Sequence, residues 1–159
     1  MSIKEVLIEE ELEIQDLKVR GFVDLAIVLE DSRVFVYDIK TINDWSYKLK
    51  FGRKYKEAEG SIHQELQLAT YGLALEDKYG RVDGLYLVYY NKNTSMIKQV
   101  EVSKDRLTSV MSFWRNIIEE HKNGLPDLKE GVSPVMAWEC NYCRFKTKCQ
   151  EDIKNDDNK

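Results

Sequence analysis

The sequence predicts one domain of mixed α/β type, on the border of the α+β and α/β classes, with a central mixed β-sheet flanked by helices. Three observations carry this. Segments of strand and helix character follow in the order strand, strand, strand, helix, strand, strand, helix. The 159 residues are 43% hydrophobic and 33% charged, which is enough apolar material for a single real core. No repeat or low-complexity tract interrupts the pattern.

Val6 to Ile14 (VLIEEELEI) has β-branched and apolar ends around an acidic centre and reads as an edge-like strand. Val19 to Leu29 is the second strand and Arg33 to Lys40 the third, joined by a tight turn near Asp31-Ser32. Val34 to Tyr37 is continuously apolar, so the third strand is expected to be buried on both faces. Thr41 to Gly60 is polar, basic and aromatic without a clean period, and reads as a loop or a loosely ordered helix. Ser61 to Tyr79 is a helix: Leu66, Ala69, Leu73 and Leu68, Tyr71, Leu75 recur at helical spacing over a wide arc. Ser61 suits the N-cap, and Gly80 ends the helix. Leu85 to Tyr90 is a short buried strand, and Met96 to Val102 returns after an Asn-rich turn. Ser103 opens a second long helix that reaches about His121, where Asn123-Gly124-Leu125-Pro126 breaks it. Residues 1–149 are expected to form the single domain, with 124–149 as a cysteine-bearing extension and 150–159 as a polar, frayed tail.

The net charge is −4, so bulk charge does not hold this chain to nucleic acid. A local basic patch exists at residues 48–56, where Lys48, Lys50, Arg53, Lys54 and Lys56 alternate with Phe51 and Tyr55. No apolar run is long enough to span a membrane, and no secretory signal is visible, so a cytoplasmic setting is expected. The three cysteines, Cys140, Cys143 and Cys149, fall within ten residues of one another. An odd, clustered set argues against a disulfide framework and for a zinc or iron–sulfur site.

The stretch Gly21 to Lys40 holds the strongest chemical signal. Asp24, Asp38 and Lys40 sit inside strands that otherwise read Val, Leu, Ile, Phe and Tyr. Charges buried in strands cost several kcal/mol unless they pair or bind a metal. A three-residue loop, Glu30-Asp31-Ser32, would pair Leu29 with Arg33 and carry Asp24 opposite Asp38 on one face, with Lys40 two residues on. A two- or four-residue loop would separate them unless a bulge intervened. Two nearby carboxylates repel, and a shared proton or a divalent cation relieves the repulsion. Mg²⁺ or Mn²⁺ suits such an oxygen-rich pair, and a lysine beside it could stabilise charge on a phosphate. The plain alternative is an Asp38–Lys40 ion pair with Asp24 solvated.

This set resembles the PD-(D/E)XK nuclease superfamily, and within it the RecB-like nucleases of phages and CRISPR adaptation systems. Gly21-Phe22-Val23-Asp24 is similar to the strand that bears the family's first acid. Asp38-Ile39-Lys40-Thr41 is similar to its (D/E)-x-K-[ST] strand, and Gln67 to Tyr71 to its Q-x-x-x-Y helix. Cys140, Cys143 and Cys149 resemble the branch's C-terminal iron–sulfur cysteines. The resemblance implies that Asp24, Asp38 and the main-chain carbonyl of Ile39 hold Mg²⁺ or Mn²⁺. It implies Lys40 as the catalytic lysine, and Gln67 and Tyr71 as organisers of the site that touch DNA. It also implies that the basic stretch faces the DNA backbone, and that a [4Fe–4S] cluster has three of its ligands here. The chain departs from the branch in two ways. No helix with a metal-binding His or Glu precedes the first strand, since His63 and His121 lie later and Glu9, Glu10 and Glu11 match no motif. The upstream cluster cysteine is absent, so the fourth ligand is not identified.

The expected function is a metal-dependent DNA nuclease of a prokaryotic or phage-infected cell. It would act as an exonuclease on single strands or DNA ends and leave a 5′-phosphate. A non-cutting nucleic-acid-binding module of the same fold and a zinc-stabilised interaction protein are the competing readings.

Overall fold

The computed structural model describes residues 2–52, 62–122, 142–148 and Glu151. Its elements run β1 (Ile3–Ile14), a short 3₁₀ turn at Gln15–Leu17, β2 (Val19–Leu29), β3 (Val34–Ile42), α1 (Asp44–Phe51), α2 (Ile62–Tyr79), β4 (Gly84–Asn91), β5 (Ile97–Val102) and α3 (Asp105–Lys122). The strands form one five-stranded sheet in sequence order. β3 and β4 pair in parallel, and every other neighbouring pair is antiparallel. The parallel pair requires a crossover, which α1 and α2 supply. Contacts divide the chain into two compact units, Met1–Arg115 and Asn116–Lys159.

The first unit contains the whole sheet. One face of the sheet presents Ala26, Val28, Val34, Val36, Leu85 and Leu87, all buried, and α2 covers this face with Leu68, Ala69 and Leu75. Removing each of these valine and leucine side chains from water is worth about 1.5–3 kcal/mol. α2 lies close because residue 72 is glycine: a Cβ there would meet methyl carbons of Leu85 and Leu107 at 2.8 and 2.9 Å. α3 joins the same layer, and Trp114 Nε1 donates to Thr70 Oγ1 at 2.9 Å. The other face is only half covered. Phe35, Tyr37 and Tyr86 lie there, with the two tyrosine rings stacked at 5.2 Å. β3 is therefore buried on one face, not both as its run of apolar residues suggests. Aromatic residues there read as core in the sequence, but they lie on a sheet surface.

The hairpin between β2 and β3 has the three-residue loop required by the pairing argument. Leu29 N–H donates to Arg33 O at 2.9 Å, and Ser32 N–H to Leu29 O at 2.9 Å. Ser32 takes a left-handed conformation (φ 66°), and Asp31 pairs with Arg33 across the turn.

β1 and β2 contain a break that bears on the site. Ile8 pairs with Leu25 and Glu10 with Val23, but the rung between them, Glu9 with Asp24, is missing. Glu9 has φ 49°, an unusual conformation for a non-glycine residue. The in–out alternation inverts there: Leu7 and Leu12 are both buried although five residues apart, as are Val23 and Ala26 although three apart. Asp24 is thereby released from the ladder.

Residues 41–51 resolve into the end of β3 and a true helix, α1. Asn43 caps it by accepting from Ser46 N–H at 2.8 Å. Its N-terminus is tied to the end of β4 by Asn91, which is fully buried. Asn91 Nδ2 donates to Asp44 Oδ1 at 3.1 Å, and Asn91 Oδ1 accepts from the N–H groups of Asn93 and Thr94 at 3.0 and 3.3 Å. Asn91→Ala strands several of these groups, and urea unfolding is expected to show a loss of roughly 2 kcal/mol. A loss under about 0.5 kcal/mol would mean that water replaces the amide without penalty.

In the second unit, the described residues are the C-terminal part of α3 and a short segment. Lys122 pairs with Glu119 at 2.9 Å, and His121 Nδ1 meets Ile117 O at 2.8 Å. In the segment, Lys146 N–H donates to Cys143 O at 3.2 Å. Among the described residues, no helix is long and apolar enough to cross a membrane.

Candidate active site

The site lies where β2 and β3 diverge. Their antiparallel ladder runs from Val28–Val34 to Leu25–Tyr37 and stops. By the alternation of antiparallel bonding, the next bonded rung would join Val23 to Ile39. Asp24 takes over that bond: its Oδ2 accepts from Ile39 N–H at 2.6 Å. Asp24 and Asp38 thus come together at the fork, but Asp24 reaches the main chain of β3 through its side chain instead of standing in a regular rung.

Asp38 points into the sheet face covered by α2 and is 1% exposed. Its Oδ2 lies 2.8 Å from Lys40 Nζ. The Lys40 ammonium is the charged partner of this buried oxygen. Burial raises the Asp38 pKa above the ordinary carboxylate value. Lys40 acts the other way, and the nearby Asp24 charge adds to the rise.

Lys40 is held from a second side. Its Nζ donates to Gln67 Oε1 at 2.7 Å, and Gln67 Nε2 donates to Tyr71 Oη at 3.0 Å. Gln67 and Tyr71 lie one turn apart on α2, which is why a single helix face can serve both. The Tyr71 ring is seated on Gly21 of β2, where a Cβ would approach Cε1 to 3.0 Å. A continuous chain therefore runs from Asp38 through Lys40, Gln67 and Tyr71 to the backbone of Gly21. Asp24, Asp38, Lys40, Gln67 and Tyr71, singled out from sequence, meet at one place.

Other candidates do not join them. Lys48 is paired with Asp44 at 2.5 Å, and Lys50 Nζ lies 4.7 Å from the centre of the Tyr89 ring. Arg53, Lys54 and Lys56 lie outside the described residues, as do Cys140 and Cys149; Cys143 is an exposed free thiol. His63 is exposed, and Glu11 pairs with Arg20 at 3.2 Å. Sequence reasoning missed Gln64 and Tyr89. Tyr89 is 1% exposed, and its hydroxyl donates to Gln64 Oε1 at 2.6 Å. A tyrosine in the middle of a buried strand needs such a partner, and that was the available signal.

The donor set can be tested against a divalent cation. Among the described residues, no group of three or more His, Cys, Asp or Glu side chains could hold a metal ion. Two carboxylates are present, one of them buried against Lys40, and Ile39 C=O shares the strand edge of its N–H, towards Asp24. All are hard oxygen donors. Mg²⁺ is commonly bound through one or two carboxylates while keeping several waters, so the residues fit such an ion and need no third side chain.

The family model of the PD-(D/E)XK nuclease superfamily matches residues 2–150. Two solved structures are similar. One is SSO0001, with 17% identity and a TM-score of 0.45, covering 89% of this chain and 59% of its own. The other is a Eubacterium rectale protein provisionally named an exonuclease, with 13% identity and a TM-score of 0.48, covering 74% of this chain and 45% of its own. This chain thus spans less than two thirds of the length of either protein. No curated protein is significantly similar to the sequence.

Proposed function

The chain belongs to the PD-(D/E)XK nuclease superfamily, and from that premise we propose that it is a metal-dependent deoxyribonuclease that works from DNA ends or on single strands. The observation that carries this reading is the buried Asp38 carboxylate, ion-paired with a lysine that is itself held by Gln67 and Tyr71. An ion pair kept only for stability would not need a second helix to aim its lysine.

In this reading Asp24, Asp38 and Ile39 C=O would hold Mg²⁺ or Mn²⁺. When bound, the ion supplies Lewis-acid polarisation of the phosphate and a lowered pKa for the attacking water. Lys40 keeps its charge close to where negative charge develops on the phosphate. Gln67 removes the slack from the lysine side chain, and Tyr71 removes it from Gln67. Asp24 has a second duty: by accepting from Ile39 N–H it holds the strands apart and leaves the edge of β3 open. Residues 1–149 would act as one nuclease domain, with the basic stretch from Lys48 to Lys56 along the DNA backbone.

The test is digestion of linear and covalently closed circular single-stranded DNA with Mg²⁺ or Mn²⁺. The linear form is expected to disappear while the circle persists, and a chelator stops the reaction. Cutting of the circle at a comparable rate would replace the end-directed mode with an endonuclease. Inertness on both forms with both ions would remove the nuclease proposal.

A further inference from the structure

The helix that carries Gln67 is held from behind by α3 at two polar points. Trp114 Nε1 donates to Thr70 Oγ1 at 2.9 Å. The Thr70 hydroxyl is buried and itself donates to Leu66 O at 2.7 Å, so its proton is committed and a lone pair is left for the indole. Arg106 Nε donates to Glu65 Oε2 at 2.7 Å. At about 100° per residue, Glu65 and Thr70 stand about 140° apart around the axis of α2. Gln67 projects from the remaining arc, about 160° from Glu65 and about 60° from Thr70. The contacts to Lys40, Arg106 and Trp114 thus divide the circumference of the helix into arcs that are each less than half a turn. Leu107 of α3 closes the remaining gap at Gly72, where a Cβ would meet it at 2.9 Å.

We propose that Trp114 is a positioning residue: through Thr70 it sets the roll of α2 and so aims Gln67 at Lys40. The inference rests on the nuclease reading, in which Lys40 is the group that Gln67 holds, and extends it to a helix that carries none of the motifs. Lys40 Nζ is held by Asp38 and Gln67, so Trp114 acts on it through α2. The leverage is geometric. The tip of the Gln67 side chain stands about 6 Å from the helix axis, so a roll of about 10° carries its amide about 1 Å. A shift of that size opens the 2.7 Å bond to Lys40 Nζ. Misplacing a catalytic group by about 1 Å costs up to about 10²-fold in rate. The Arg106–Glu65 pair resists the same roll from the other flank of α2, which leaves Trp114→Phe with a loosened helix and not a detached one.

The bland role for Trp114 is to fill the core and satisfy Thr70, and it predicts lost stability alone. Steady-state digestion of linear single-stranded DNA by wild type, Trp114→Phe and Thr70→Ser, well below the Tm of each, separates the two roles. Each substitution is also made in a Gln67→Ala background. Thr70→Val, which removes the same bond from the other side, takes the place of Trp114→Phe should that variant unfold. The brace predicts a kcat about tenfold lower in Trp114→Phe with KM within about twofold of wild type. Thr70→Ser keeps the hydroxyl and is expected to keep kcat within about twofold. In the Gln67→Ala background Trp114→Phe should lower kcat no further, because the group it aims is gone. A kcat within about twofold of wild type in Trp114→Phe overturns the brace and leaves the nuclease reading standing. So does a fall in kcat that adds in full to that of Gln67→Ala, which is the mark of general damage to the fold. A wild-type protein inert on this DNA removes the nuclease reading and the brace together.

Discussion

Lys40→Ala is expected to lower metal-dependent DNA cleavage by about 10²–10³-fold, the usual consequence of removing one preorganised charge stabiliser. The expectation follows from how Lys40 is held. Its ammonium lies between Asp38 Oδ2 at 2.8 Å and Gln67 Oε1 at 2.7 Å, and its side chain is about one fifth exposed. Such a group loses little entropy when a phosphate arrives, because its geometry is already fixed. The folded state should survive the change. Lys40 opposes the burial-driven rise in the Asp38 pKa, so its loss moves that pKa further up and favours the neutral carboxyl. A stranded buried charge would cost about 3–5 kcal/mol, and uptake of a proton by Asp38 is the route by which that cost falls. Circular dichroism and thermal unfolding check the fold, and digestion of linear DNA checks the activity. Lys40→Met, similar in length and uncharged, provides the same comparison should the alanine variant unfold. Equal cleavage by wild type and either variant would strip Lys40 of its role.

The sequence and the structure agree best where one physical rule decides the outcome. Asp24 and Asp38 had to share a face for the site to exist, and that condition selected a three-residue loop, Glu30-Asp31-Ser32, which the bond from Leu29 N–H to Arg33 O closes. Gln67 and Tyr71 could be placed together because i and i+4 share a helix face. The detour of Asp24 to Ile39 N–H was not legible, because it depends on the missing rung at Glu9 in a different strand. Nothing local to Asp24 announces that. α1 was hidden for another reason. Its apolar anchors are only Tyr47 and Phe51, which pack on each other at 5.0 Å among lysines, so the periodicity is too short to stand out. Its cap, Asn43, was the overlooked cue. Val34 to Tyr37 misled in the opposite direction, because a run of apolar residues does not say whether a helix covers one face or two. Gln64 carries no signature at all; its place is defined only once Tyr89 is brought against it.

Asp38→Asn should separate function from stability most sharply. Cleavage is expected to fall by at least about 10²-fold, since the substitution replaces the carboxylate that would hold a cation with a neutral amide. In metal-free buffer the stability of the variant relative to wild type is expected to rise as the pH rises from acid to neutral. The sign follows from the raised pKa of Asp38. In the unfolded chain it titrates near its ordinary value of about 3.9. Below that pH the carboxyl is protonated in both states, and burial carries no charge penalty. As the pH climbs from there through the higher folded-state pKa, the unfolded chain ionises first, and wild-type stability declines relative to the variant. Above the folded pKa the gap is constant. The difference in Tm between Asp38→Asn and wild type should therefore be small near pH 3.5, widen as the pH rises, and reach a few degrees at pH 7. Added Mg²⁺ should reverse the order, because an ion that binds only the native wild-type site raises its Tm by mass action and leaves the variant unmoved. A variant less stable than wild type at pH 7 without metal would show that Asp38 is kept for its ion pair with Lys40. A Tm that Mg²⁺ shifts equally in both proteins would place the cation elsewhere. These two thermal shifts therefore separate a buried carboxylate kept for a cation from one kept for its ion pair with Lys40.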